Sequence, residues 1–302
     1  MSLTGTLQLI GAPQQQLSRR ELKAFSGLDS AQYDEFWSAW RGIPPERRSQ
    51  IALTMVELAE DNVELDFDQA WLWLLDDDVP SVRVSAIEGL WENTRPLALR
   101  RMLELLRTDT DADVRAAAAI ALSRFAALAA LDELDGNTDD LRRTLLDAVQ
   151  SRNEPAEVQR RALESAGYFC DDEVQAQIER AYASDDQLLR ESALVAMGRS
   201  MLDRWLPAIG RELGSISPAL RYEAARAAGE IGEDAQPLLA KLAPLCNDQD
   251  SEVALMAIWA LGQIGSAAAR RTLQQVAKSE NEARSQAANE ALDELTLGET
   301  LI

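Results

Sequence analysis

Hydrophobic and polar positions along the chain follow a pattern that keeps returning. Its clearest copy is Asp250-Ser-Glu-Val-Ala-Leu-Met-Ala-Ile-Trp-Ala-Leu-Gly-Gln-Ile-Gly265, in which Val253, Ala257, Ala260, Leu261 and Ile264 recur with helical spacing. Weaker copies, aligned on one aliphatic anchor, begin at Val82, Val114, Val158, Leu189, Leu220 and, at the C-terminal end, Ala283. The fourth residue after every anchor is alanine: Ala86, Ala118, Ala162, Ala193, Ala224, Ala257 and Ala287. A small side chain at that place is what the close approach of two helices demands. The anchors recur about 30 to 33 residues apart, the spacing of stacked supersecondary units, except between Val114 and Val158, where about a dozen residues are added.

A polar turn precedes each anchor, as in Asp76-Asp77-Asp78, Thr108 to Asp111, Ser184-Asp185-Asp186 and Asn247 to Asp250. Before the turn comes a second amphipathic stretch, such as Pro237 to Ala243. One unit is therefore helix, Asp-rich turn, helix. Gly167, Gly198, Gly229 and Gly262 stand nine residues after four successive anchors. Glycine weakens a helix there, so packing or a helix end must require it. The predicted fold class is all-α, an α-solenoid (α-α superhelix) of about seven to eight helical hairpins. Over residues 68–296 the pattern resembles the HEAT-repeat family, in particular the short bacterial HEAT-like repeats also found in phycobilin lyase subunits. The resemblance implies a stacking ladder in which turn carboxylate and post-anchor guanidinium link adjacent repeats, as Asp77 with Arg83 and Asp109 with Arg115. Gln159 and Ala254 replace the arginine, and Ser215 stands where a turn aspartate is expected before Arg221. Those repeats are expected to couple less strongly.

Residues 1–17 contain Gly5, Gly11, Pro13 and three consecutive glutamines, and read as a flexible N-terminal lead. Residues 18–67 read as capping helices and a degenerate repeat: Ser18 and Glu21 have capping-box spacing, Tyr33, Phe36, Trp37 and Trp40 share one face, and Pro44-Pro45 separates two helices. The solenoid follows over 68–296, with an insertion near 126–140 in which the helix continues to Leu134 and a turn spans Asp135 to Asp140; 297–302 reads as a tail. The insertion is either a partner loop or a tolerated addition. Trp71, Trp73 and Trp91 mark either a recognition patch or core packing, and packing is the expectation.

The 302 residues carry 30 Lys+Arg against 51 Asp+Glu, a formal charge of −21, which disfavours nucleic acid and anionic membranes. No apolar run approaches a membrane span and the N-terminus lacks a basic n-region, so the expected location is cytoplasmic. Cys170 and Cys246 read as two buried free thiols. The absence of histidine excludes Ser-His-Asp and Cys-His catalysis and every His-ligated metal site. It also removes the iron chemistry of deoxyhypusine hydroxylase, which shares the HEAT-like architecture. Asp109 to Asp113 and Asp248 to Glu252 resemble the start of calcium loops, but Val114 and Val253 stand where glycine is required. No enzyme activity, cofactor or metal is expected.

In HEAT folds the anchor-bearing helices line the concave side. The sixth residues after the anchors are Glu88, Ile120, Glu164, Val195, Arg226, Trp259 and Asn289. Val195, Tyr222, Arg226, Leu255, Met256 and Trp259 gather into one candidate partner-binding patch, rimmed by Glu191, Glu223 and Glu230. The expected partner is a protein, through a basic or amphipathic segment, and the expected function is a non-enzymatic scaffold or adaptor. The alternative implied by the resemblance is an accessory subunit of a phycobilin lyase-like chromophore-attachment complex. Arg142, Arg143, Arg152, Arg160 and Arg161 form a candidate anion patch, similar in kind to the basic surface of HEAT-like alkylpurine DNA glycosylases. Internal pairing with Asp139, Asp140, Glu154 and Glu157 competes with that use.

Overall fold

In the computed structural model the chain is helical, with no strand among the described residues, which are 2–12, 16–62 and 64–300. It divides into two compact units, Met1–Ala162 and Leu163–Ile302, so the block expected over 68–296 is shared between them. Each unit is a stack of helical hairpins.

The first unit comprises α1 (Leu3–Gly11), α2 (Arg19–Leu22), α3 (Tyr33–Trp40), α4 (Pro45–Asp61), α5 (Asp68–Leu74), α6 (Pro80–Gly89), α7 (Pro96–Thr108), α8 (Ala112–Ala130), α9 (Thr138–Gln150) and α10 (Ala156–Ala166), whose last residues cross the boundary. Proline opens α4, α6 and α7 at a position whose N–H has no helical partner. Asp111 caps α8 by accepting from the N–H groups of Asp113 and Val114. Val82, Ala86, Val114, Ala118, Val158 and Ala162 are fully buried, as helix-packing positions must be. The second helices α4, α6 and α8 pack side by side.

Residues 3–11 are a helix and not a flexible lead. Leu3, Leu7 and Ile10 are buried, Thr4 donates its N–H and its hydroxyl to Glu35, and Arg47 Nε donates to the Ile10 carbonyl at 2.6 Å. The i, i+4, i+7 spacing of those apolar residues carries the helix despite Gly5 and Gly11. Pro13, Gln14 and Gln15 lie outside the described residues. Phe25, Phe36 and Trp40 form the buried aromatic end of the unit, with Phe36 stacked on Trp40 at 5.4 Å between ring centroids. The inserted α8 stops at Ala130, earlier than the expected Leu134, because Asp132 turns the chain with φ 57.

The second unit comprises α11 (Asp172–Tyr182), α12 (Gln187–Ser200), α13 (Leu206–Glu212), α14 (Pro218–Ile231), α15 (Leu239–Leu245), α16 (Ser251–Ile264), α17 (Ala267–Val276) and α18 (Glu282–Thr300). Its second helices α12, α14, α16 and α18 form a row. The recurrent glycines are explained by that row: a Cβ on Gly167 would lie 2.6 Å from Ala196 Cα, and one on Gly198 would lie 2.8 Å from Ala227 Cα. Gly229 faces Ala260 and Gly262 faces Ala291 in the same way, each at 3.0 Å. In the last repeat the register is one residue later than the sequence suggests: Ala283 is exposed, and Ala288, not Ala287, is fully buried. The segment read as a tail from 297 is helical to Thr300; Leu301 and Ile302 lie outside the described residues.

The ladder is present with a fixed geometry. Arg83 Nη1 donates to the carbonyl of Asp77 in its own turn, while Nε and Nη2 donate to the Asp109 carboxylate of the next turn at 2.8 and 2.7 Å. Arg221 repeats this with the Ser215 carbonyl and Asp248, and Arg115 with the Asp109 carbonyl and Glu154. Serine at 215 therefore still serves the local contact, which needs only a backbone oxygen. It cannot serve the preceding Arg190, whose buried Nε has no hydrogen-bond partner among the described residues. Gln159 turns its amide onto the Ser151 and Glu154 carbonyls of its own loop. The first rung is the most buried: Asp77 accepts from Arg48 Nη1 at 2.8 Å and from Trp40 Nε1, with Asp77 and Arg48 side chains 0% and 5% exposed. Cys246 is buried and its thiol is pushed up to about 11 by burial, whereas Cys170 is exposed, which corrects the reading of two buried thiols.

Candidate functional site

In the first unit a groove of about 870 Å3 runs across α4, α6 and α8. Val56 and Ala59 of α4, Ile87 of α6, Trp91 just beyond it, and Ala117, Ile120 and Ala121 of α8 make its apolar walls. Trp91 is 61% exposed and Ile120 51% exposed, so two large apolar side chains that line the groove stand open to solvent. Glu88 joins this groove to a second depression of about 620 Å3, lined by Leu53 of α4, Pro80, Val84 and Ser85 of α6, and Asp111 and Asp113 at the start of α8. The two form one furrow along α6.

Its charge is one-sided. Glu60, Glu88, Asp111 and Asp113 line it, and Arg124 is the one cation among the lining residues. Arg124 is committed to structure: Nη2 donates to the carbonyls of Leu90 and Asn93 at 3.0 and 2.9 Å, and the guanidinium lies 5.1 Å from the centroid of the Phe125 ring. Burial holds its pKa below the ordinary arginine value. The Glu88 carboxyl is held above the usual carboxylate range, first by desolvation against the groove walls and second by the neighbouring charge of Glu60.

The patch expected on the second unit is not one open surface. Val195 is buried, at 6% exposed. Trp259 is 37% exposed and lies against Gly229, whose missing side chain makes room for the indole ring. Leu255 and Met256 are half-buried. Tyr222 lines a separate depression of about 570 Å3 with Gln187, Pro218, Asp250 and Glu252. Arg226 has Nε 2.8 Å from Glu223 and 3.9 Å from Glu230, so its charge is used within α14. Both carboxyls are held above the usual range by burial, against the opposing pull of Arg226.

The arginine patch is likewise drawn inward. Arg160, which is buried, and Arg161 both pair with Glu157 at 2.7 Å, and Arg143 Nε donates to the Asp139 carbonyl. Arg142 is half-buried on α9 and Arg152 is exposed in the loop after it. The calcium-like turns spend their first carboxylates on Arg83 and Arg221. Among the described residues no helix is long and apolar enough to cross a membrane.

Sequence reading placed Glu88 and Ile120 in the right series, expected Trp91 to pack as Trp71 and Trp73 do, which its exposure contradicts, and passed over Leu53 and Glu60. A signal was present for Trp91: it stands nine residues after its anchor, where the later repeats carry glycine.

No curated protein matches the sequence. Among solved structures, two engineered proteins are similar. One is 23% identical over 66% of this chain and 97% of its own, with a TM-score of 0.42; the other is 18% identical over 97% and 88%, with a TM-score of 0.43. Human deoxyhypusine hydroxylase in complex with glycerol is 19% identical over 86% and 94%, with a TM-score of 0.36. The sequence profile of HEAT repeats matches residues 69–151 and 202–293, more than half of the chain, and together with the helical hairpins, buried anchors and arginine ladder it identifies the protein as a member of the HEAT-repeat family.

Proposed function

We propose that the protein is a non-enzymatic interaction scaffold whose first unit receives a segment of a protein partner in the α4–α6–α8 groove. The observation that carries this reading is the pair of exposed side chains Trp91 and Ile120 lining one apolar groove. Large open apolar residues with a polar rim are the usual form of a protein-binding surface, and a tryptophan that the partner covers on binding is a frequent anchor. The first unit thereby takes the role expected of Val195, Tyr222, Leu255, Met256 and Trp259.

The absence of histidine supports the non-enzymatic part of the reading. The chromophore-attachment alternative has only the shared repeat in its favour. The test is a display selection of short peptides against the wild-type chain, repeated with Ile120→Glu and Trp91→Ala. Binders retained by wild type and lost by both variants support the groove. Binders indifferent to both place the interaction elsewhere.

A further inference from the structure

We propose that the α4–α6–α8 groove selects a partner segment carrying a lysine or arginine among apolar residues, with the cation seated between Glu60 and Glu88. This inference rests on the reading of the groove as a protein-binding surface and adds the chemistry of the occupant.

The furrow offers four carboxylates and one guanidinium among its lining residues, and that guanidinium is already bonded to two backbone carbonyls. Whatever fills the furrow must therefore bring the compensating charge with it. An uncharged apolar occupant would cover Glu88 and strip its water while supplying no partner, which is a penalty on binding. A cationic one converts the same carboxylates into acceptors. The groove thus discriminates by charge as well as by apolar fit, since what it penalises is as informative as what it attracts. The formal charge of −21 on the whole chain acts in the same direction at long range, drawing cationic segments in at low ionic strength.

Length follows from the helix that floors the furrow. From Pro80 to Gly89 this helix runs roughly 15 Å at about 1.5 Å per residue, the length of a helical segment of about 10 residues. Leu53 and Ile120, 54% and 51% exposed, and Trp91 supply apolar contacts on both sides of the glutamate pair.

Binding should also depend on pH. The groups facing Glu88 are Glu60 from α4, Arg124 from α8, and Asp111 and Asp113 at the start of α8. Desolvation and Glu60 hold the Glu88 carboxyl above the usual range, so part of its population is protonated just above that range. A seated cation favours the ionised form, so affinity rises with pH through this window and then levels off.

The experiment is selection of displayed 16-residue random peptides on the full chain, followed by affinity of the best synthetic peptide for wild type, Ile120→Glu, and the pair Glu60→Gln/Glu88→Gln. The expected result is a lysine or arginine fixed at one register between apolar residues, affinity lowered about tenfold by the double glutamine variant, and a pH dependence that the variant loses. Peptides without a cation, or with affinity unchanged by Glu60→Gln/Glu88→Gln while lost with Ile120→Glu, overturn the charge selectivity and leave the groove reading standing. Peptides indifferent to Ile120→Glu, or none recovered, overturn the groove reading itself. Both variants lie on the exposed face, and an unchanged helical signal on heating confirms that each is folded.

Discussion

Both units are built from the same hairpin, yet they differ at two positions per repeat. Six and nine residues after the anchor, the first unit carries Glu88 with Trp91 and Ile120 with Ser123; the second carries Val195 with Gly198, Arg226 with Gly229, and Trp259 with Gly262. Where the ninth residue is glycine, the alanine of the next helix comes to about 3 Å of where a Cβ would be; of the sixth residues there, Val195 is buried, Arg226 is paired with Glu223, and Trp259, 37% exposed, rests on Gly229. Where the ninth residue keeps a side chain, the sixth stays open and a groove lies between the helices. The core rules are identical in both, since every anchor from Val82 to Val253 is buried or half-buried. An open side chain and a close helix contact are thus alternative uses of one helix face.

Four experiments would break or sharpen this contrast. The largest effect is expected at the first rung of the ladder. Asp77→Ala removes the buried acceptor shared by Arg48 and the Trp40 indole, leaving Arg48 only the exposed Asp78, and should cost about 3 kcal/mol, whereas Asp248→Ala at a more exposed rung should cost about 1–2 kcal/mol. Urea denaturation of both variants measures the difference, and equal losses would contradict the ranking.

Next comes the glycine row. Gly198→Ala forces a Cβ to 2.8 Å from the Ala227 backbone and should destabilise by about 1–3 kcal/mol, while Ser123→Ala at the matching place in the first unit should stay within about 0.5 kcal/mol of wild type. A thermal-unfolding comparison decides it; if the two shift alike, the ninth position does not distinguish the units.

A smaller effect is expected with pH. Glu223 and Glu230 are held above the usual carboxylate range by burial, so the folded state binds protons that the unfolded chain has released. Stability should therefore fall as pH rises through the window just above the ordinary glutamate value. Glu223→Gln should flatten that slope in denaturation curves taken across the window; Glu88→Gln should flatten it less, because the burial that raises Glu88 is shallower.

The smallest effect on stability is expected in the groove, where Ile120→Glu, half in solvent, should change unfolding by no more than about 0.5 kcal/mol while abolishing peptide binding. Trp259→Ala should do the reverse, loosening the contact with Gly229 and leaving groove binding intact. Titration of a selected peptide against both variants gives the answer.

Much of the fold was legible because burial imposes periodicity. Val82, Val114, Val158, Leu220 and Val253 with their fourth-residue alanines could be read as core from spacing, and they are buried. The turn aspartates and post-anchor arginines recur, and the resemblance to HEAT repeats implied that they form a ladder. What escaped was local or non-periodic. The helix Leu3–Gly11 is a single short element with two glycines, so no repeat announced it. The expected patch was read as one open surface because Val195 and Trp259 look like exposed apolar residues in any one repeat, and only the tertiary structure shows that Val195 is covered and that Trp259 rests on Gly229.

By itself the sequence determined the repeat, its helical hairpins, the alanine contacts and the lack of histidine chemistry, because each of these is written within one repeat or in composition. Which face stays open was decided only by the tertiary structure. Exposure of a sixth-position side chain depends on how closely the next helix approaches, and that distance is set jointly by two residues about 30 positions apart.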